Sequence, residues 1–579
     1  MLSTVLTALT LSWAPSPQSP ALPQEADLDP AALAEVAEAP AVETLFVHGG
    51  RIYLGNAEGS AVEALLVENG RVVQAGTEQA LRAKLPEVGV SWIDLKGAVA
   101  VPGIQDGHVR IERFGADLER LDLRGVASYE ELVERVAERA KSTPAGQWVL
   151  GHGWDQRLWE GGELPHHAAL SVATPEHPVL LWRVDGSSCL VNAKALELAE
   201  LHEELGPLQR VQGGRILRDE SDFATGVLLD EAARLVTDRL PAVEAAEREA
   251  RLLRAQEELL ARGITCAHDM GVAPETLAVY ESLRERGLLK LRVVAYVDGN
   301  RGLDPELAPT LPRAPDGLGL FSVPGVFYQL DGDLGTRSAA LLQDYVDAPG
   351  ERGQLRLDKK RLSLLVNETS KLGLQPAVQA AGDLANRVAL DVFDLMMTAD
   401  ENFPRLRPRV EHAQVISSRD IPRFPELKVI PSMLPTQTLA DFAWLEGRLG
   451  TNRSRGTYAW RSLAPGLMQL AFGTGLPFED GGPLEGIYAA RMRRDHESLY
   501  NDGAIGSERL DGLGALAGFT RGPARAAHQE KERGQLVPGY WADLTVFDRD
   551  PIEGDPETLR DARVLLTVIN GRVVWSPGG

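Results

Sequence analysis

The chain has 579 residues, of which 44% are hydrophobic and 25% charged. That is too long for one simple core and fits one large domain with a smaller one, or two to four domains of ordinary size. A formal net charge of −23 works against nucleic acid and anionic membrane surfaces as partners, because both would repel it.

In chain order, Leu2–Ala14 is short, mostly apolar and followed by small residues and prolines. It resembles a secretory signal segment lacking the basic start, and predicts a periplasmic or secreted location, with the cytoplasm as the alternative. Residues 16–41, rich in Pro, Ala and Glu, predict a disordered linker, so residues 1–41 stand apart from the fold. No later run reaches the roughly 18 apolar residues of a spanning helix. Thr44–Leu54, Ala61–Gly76 and Ser91–Gly103 alternate apolar and polar residues between Gly and Asn turns. Ala542–Asp550 and Val564–Trp575 supply matching material, with Asn570-Gly571 as a turn. Residues 42–100 with 530–579 therefore predict one composite β-sandwich flanking a long middle.

Within that middle, residues 101–529, apolar strand-like runs alternate with amphipathic helices. Ser128–Ser142 reads as a helix capped by Ser128 with Glu131 three residues on, and Ala246–Gly263 as another ending at Gly263. Strand-like segments include Trp148–Gly153, Pro178–Gly186, Ile264–Gly271, Leu291–Gly299, Gly325–Asp333, Leu374–Asp383, Pro408–Ser417, Leu427–Met433 and Met468–Gly475. Most carry His, Asp, Gln or Gly at their C-terminal ends. Repeated strand–helix units of this kind predict a (β/α)8 TIM barrel, with its site at the C-terminal strand ends. Cys189 and Cys266 form neither a disulfide framework nor a cysteine metal site, and read as small buried hydrophobes.

Several motifs carry a family resemblance. VPGIQDGHVRI, ending at Ile111, resembles the first barrel strand of amidohydrolase-superfamily enzymes. WVLGHGWDQRLWEGGELP, RVDGSSCLVNAKAL, GITCAHDMG, DGDLGTRSAALL, RVEHAQ and GQLVPGYWADLTVFDRDP are similar to the YtcJ-like branch, which includes N-substituted formamide deformylases. The resemblance runs in order from about residue 43 to 576. It implies a barrel that hydrolyses C–N bonds other than peptide bonds, using a divalent ion at the strand ends to activate water.

The same resemblance implies which positions should hold that ion. His108 and His412 keep their histidines. The second histidine of the first strand is Arg110, the family lysine falls on Phe327, a further histidine on Gln379, and the family aspartate, ligand and proton shuttle, on Gly475. Two other family histidines fall on Gln437 and Ser187. A guanidinium does not lose its proton and cannot ligate. At ~5 Å and an effective dielectric of ~20, its repulsion of a divalent ion is roughly 6–7 kcal/mol. That is about half the ~10–16 kcal/mol with which structural zinc is held.

The expectation is therefore a metal-free pseudoenzyme or small-molecule-binding barrel with no cofactor. Its pocket would draw on His108, Arg110, Ser187, His268, Asp331, Asp333, Gln379, His412 and Gln437. The alternative is an active amidohydrolase with a remade mononuclear site, zinc or another divalent ion on His108, His412 and Asp331 or Asp333. Against it, Arg110 is expected to pair with one of those aspartates. His268 and Asp269 read equally as a ligand contact or a satisfied structural pair. His152, Trp154, Asp155 and Trp159 read as barrel-mouth shaping or loop packing. The expected partner is a small molecule, with a homo-oligomer compatible. A purely structural role, with the acidic surface engaging another protein, has no support beyond charge.

Overall fold

The computed structural model describes residues 44–184, 186, 188–201, 211, 214–463, 470–479, 481–493 and 508–578. The signal-like segment, the linker and Ser187 lie outside the described residues.

The central sheet has eight parallel strands in sequence order: β1 (Ile104–Val109), β2 (Ile264–Val272), β3 (Arg292–Asp298), β4 (Phe321–Gln329), β5 (Gln375–Ala380), β6 (Arg409–His412), β7 (Ile430–Met433) and β8 (Ala471–Phe472). Parallel strands covered by helices are buried on both faces and so read as continuous apolar runs. β3, RVVAYVD, is buried throughout except at Asp298. Covering helices show the complementary pattern. Lys359–Lys371 is capped by the Asp358 side chain, which accepts from the Arg361 N–H, and buries Leu362, Leu365, Val366 and Thr369, one stripe at helical spacing.

β8 is only two residues long, and its backbone continues the closure past its end. The Gly475 N–H donates to the His108 carbonyl at 3.1 Å, and the Arg110 N–H to the Leu476 carbonyl at 3.0 Å. Asp106 ties the seam from the side chain, accepting from the His108 N–H at 2.9 Å and the Thr474 N–H at 3.0 Å. The result is a nearly closed (β/α)8 TIM barrel.

Both chain ends build a second unit. One six-stranded sheet joins the strands Arg51–Tyr53, Ala61–Val62 and Val99–Pro102 to Leu544–Phe547, Val564–Ile569 and Arg572–Trp575, with Val99–Pro102 paired to Leu544–Phe547 at the junction. A four-stranded sheet from residues 44–94 shares its core, in which Leu45, Val47 and Val67 meet Leu544, Val546 and Leu566. Fully buried Arg292, at the start of β3, locks this unit to the barrel. Its guanidinium grips Asp543 with two bonds, of 2.7 and 2.9 Å.

One part of the sequence reading is corrected. Val149–Trp154 and Val179–Arg183, read as members of the barrel's strand succession, lie in a separate six-stranded mixed sheet built from residues 121–230, between β1 and β2. A continuous apolar run marks a strand covered on both faces but carries no signal of which sheet it joins. Among the described residues no helix is long and apolar enough to cross a membrane.

Candidate functional site

The C-terminal strand ends surround a cavity of about 290 Å³. β1 contributes His108 and the turn after it Arg110, β4 Gln329, β5 Gln379 and β6 His412; Gln437 opens the helix after β7. The inserted sheet and its following turn close one side with Trp182, Asp230 and Glu231, and Phe478 and Glu479 follow β8.

Beneath the mouth lies a buried ion pair. Arg409 and Glu411 share the inward face of β6, as two-residue alternation dictates, and neither is exposed. The Arg409 guanidinium meets Glu411 at 2.7 Å and also donates to the Tyr296 hydroxyl, the Gly107 carbonyl and the Ser432 hydroxyl. Burial pushes the Glu411 carboxyl up, but Arg409 and the His108 bond outweigh it, and the group stays below its ordinary range. An ionised Glu411 accepts from His108 Nδ1, 2.8 Å away, so the Nδ1 proton is fixed and Nε2 is the free face of the ring. Burial, only partly offset by Glu411, holds His108 below its ordinary value and therefore neutral near pH 7.

His412 stands at the end of β6 with its ring perpendicular to that of His108, centroids 5.1 Å apart. Burial, then the neighbouring His108 and the Arg110 charge, push it well down, so it too is neutral. Its backbone is in the left-handed region, φ +68°, as is Ala413 at +44°. Strain of this kind in non-glycine residues persists only where the surroundings impose it.

Arg110 extends from the end of β1 between two aromatic rings. Its guanidinium lies 5.2 Å from the Phe327 centroid and 5.6 Å from that of Phe478. The Phe327 ring in turn packs edge-on against His108 at 6.1 Å. Among the described residues the Arg110 side chain has no hydrogen bond or ion pair, its Nε–H included, and burial pushes its pKa down to about 10. A group of acids lies opposite. Burial and then Asp333 push Asp441 up to about 7, and burial and then Asp441 push Glu479 well above its usual value.

The structure thus brings His108, Arg110, Asp333, Gln379, His412 and Gln437 to one cavity wall, and places Asp331 and His268 elsewhere. Asp331 does not line it. Its carboxylate is spent on the backbone N–H groups of Ala340, Ala381 and Gly382 at 2.8–2.9 Å, holding the ends of β4 and β5 together. His268 lies deeper, fully buried with Nδ1 2.9 Å from the Arg409 guanidinium. The expected pairing of Arg110 with Asp331 or Asp333 is not formed; aromatic faces take its place. Asp269 accepts from the Ile111 N–H and the Tyr280 hydroxyl, a satisfied structural group. Trp154 and Trp159 stack in the core of the inserted sheet, and Asp155 holds Arg157 and Arg183. Residues the sequence reading missed are Arg409, Phe478, Glu479 and Trp182. The R-x-E spacing before His412 was the one signal available for the buried pair.

A parallel eight-stranded barrel with a polar mouth at its C-terminal strand ends defines the class, a TIM-barrel protein with its site at that face. The model of the amidohydrolase family matches residues 91–575, and the chain belongs to that family. Within it the chain is YtcJ-like. It is 29% identical to YtcJ of Bacillus subtilis (strain 168), over 91% of this chain and 98% of that one. It is 30% identical to the protein LONG AFTER FAR-RED 3 of Arabidopsis thaliana, over 92% of each. An uncharacterised metal-dependent hydrolase from Pyrococcus horikoshii OT3 superposes with a TM-score of 0.72 at 28% identity, covering 89% of this chain and 99% of that one.

Proposed function

We propose that the mouth of this amidohydrolase barrel is a metal-free binding site for a polar small molecule, and that the chain is a pseudoenzyme of its family. The observation that carries this reading is the Arg110–Phe327–His108 stack. Where a divalent ion would need donors, the wall presents the fixed cation of Arg110, backed by the buried hydrocarbon ring of Phe327.

The donor set does not fit a divalent ion. His108 and His412 offer two neutral imidazoles, but among the described residues no group of three His, Cys, Asp or Glu side chains is arranged to hold a metal. Gly475 supports the same reading. Its φ is +77°, and a Cβ there would stand 2.9 Å from Leu434 Cδ1 and 3.0 Å from Glu479 Cγ. An aspartate therefore has no ready place at the position where the family resemblance implies a ligand and general base. The wall is instead equipped for hydrogen bonding. His108 offers an Nε2 acceptor, and among the described residues Gln437 keeps an Oε1 without a donor and Arg110 is a cation without an anion.

The test is the metal content of the full chain expressed with added zinc, read by elemental mass spectrometry, beside a thermal-shift screen of polar small molecules. Essentially no metal together with ligand-induced stabilisation is expected. About one tightly held ion per chain would overturn the reading, since ions held that well need a true ligand set. His108 and His412 would then be the first residues to replace.

A further inference from the structure

A second cavity, of about 230 Å³, opens between the end of β1 and the end of β2, on the other side of Arg110 from the barrel mouth. Its wall carries Arg110, Arg113, Arg120 and Arg251 against only two carboxylates, Glu112 and Asp269. Both of these are already committed. Glu112 accepts from Arg248 at 3.2 Å and from the Thr276 hydroxyl. Asp269 accepts from the Ile111 N–H at 2.9 Å and the Tyr280 hydroxyl at 2.7 Å, and burial pushes its carboxyl up to about 7, so it is a weak counter-charge. Behind the wall, the single carboxylate of Asp117 serves both Arg113 and Arg120, and Arg251 reaches out to Glu247. Among the described residues the Nε–H groups of Arg110, Arg120 and Arg251 have no acceptor. Burial and then the Arg113 charge hold Arg120 down to about 10, a sign that these cations repel one another.

A surplus of half-buried guanidinium in a chain of net charge −23 is the reverse of what its overall balance would place there. Guanidinium groups are planar donor forks that match oxyanions with paired bonds, and like charges gathered around a hollow are relieved by an anion inside it. We propose that this hollow binds a tetrahedral oxyanion, either free phosphate or the phosphate of a phosphorylated small molecule. The hollow shares Arg110 with the barrel mouth, but Arg113, Arg120 and Arg251 do not line the mouth, so the proposal stands whatever the mouth holds.

Isothermal titration of the full chain with inorganic phosphate and with glycerol phosphate, at matched ionic strength in chloride, tests it. Saturable binding of one anion per chain is expected, weakened at least about tenfold in Arg120→Gln and in Arg251→Gln. Tighter binding of inorganic phosphate would identify the free ion as the ligand, and tighter binding of glycerol phosphate a phosphorylated molecule. Should either variant fail to fold, the wild type alone still decides, because phosphate must raise its thermal midpoint where equal chloride does not. No saturable uptake up to about 10 mM, well above a Kd of about 1 mM, or undiminished binding in both folded variants, would overturn the proposal.

Discussion

At the scale of single residues, the mouth is organised by charges whose partners have been rearranged. Arg409 is fully buried and keeps Glu411 ionised, and Glu411 in turn fixes the tautomer of His108. The acids on the opposite side are governed by burial instead. Asp441 accepts from the Tyr458 hydroxyl and the Gln414 amide, while burial and then Asp333 push it up to about 7 from an ordinary value near 4. The folded state therefore favours the protonated form. Its contribution to stability is fully present below about pH 4 and is lost as the pH rises through about 7. Asp441→Asn keeps a neutral side chain there at every pH. Between pH 4 and 8 the variant should gain stability relative to the wild type, seen as diverging urea midpoints; parallel midpoints would show that Asp441 titrates normally.

Strands and helices show which parts of the fold are legible in the sequence and which are not. The Ser128 helix was legible because its cap is local: the Ser128 hydroxyl accepts from the Glu131 N–H, and the Glu131 carboxylate from the Ala127 N–H. Barrel strands were legible as apolar runs ending in polar residues, and the alternation around β6 placed His412 at a strand end. The inserted sheet was not legible as a separate body, because pairing partners are set by contacts distant in sequence. The roles of Asp331 and His268 were hidden for a related reason. Which strand-end polar groups face the cavity, and which are consumed by backbone amides or by Arg409, depends on three strands at once. β8 is the most dependent of all, since two residues hold its place and the turn after it completes the closure. Gly475→Asp tests that turn. A side chain at φ +77° beside Leu434 should cost about 1–2 kcal/mol, measured by urea unfolding, with no metal acquired. Unchanged stability together with bound zinc would mean that the turn yields and that the old ligand position is still usable.

Across the whole molecule, barrel and composite sheets are joined by a buried bidentate ion pair, and removing one partner of such a pair leaves an uncompensated charge. Asp543→Leu should therefore lower the unfolding free energy by about 3–5 kcal/mol. A loss under about 1 kcal/mol would indicate that the two units unfold independently and that the clamp matters little to either.

The joining of both chain ends in one sheet also has a bearing on how the protein is made. Val99 pairs with Phe547, which leaves the ribosome more than four hundred residues later. Through most of translation the early strands wait with an open hydrogen-bonding edge and half a core, and Arg292 waits without its carboxylate. A ribosome that stops anywhere before Asp543 therefore releases a chain with an exposed sheet edge and a buried cation unmet. Late premature stops should be cleared by the cell's proteases much as early ones are, although nearly the whole barrel has already been synthesised.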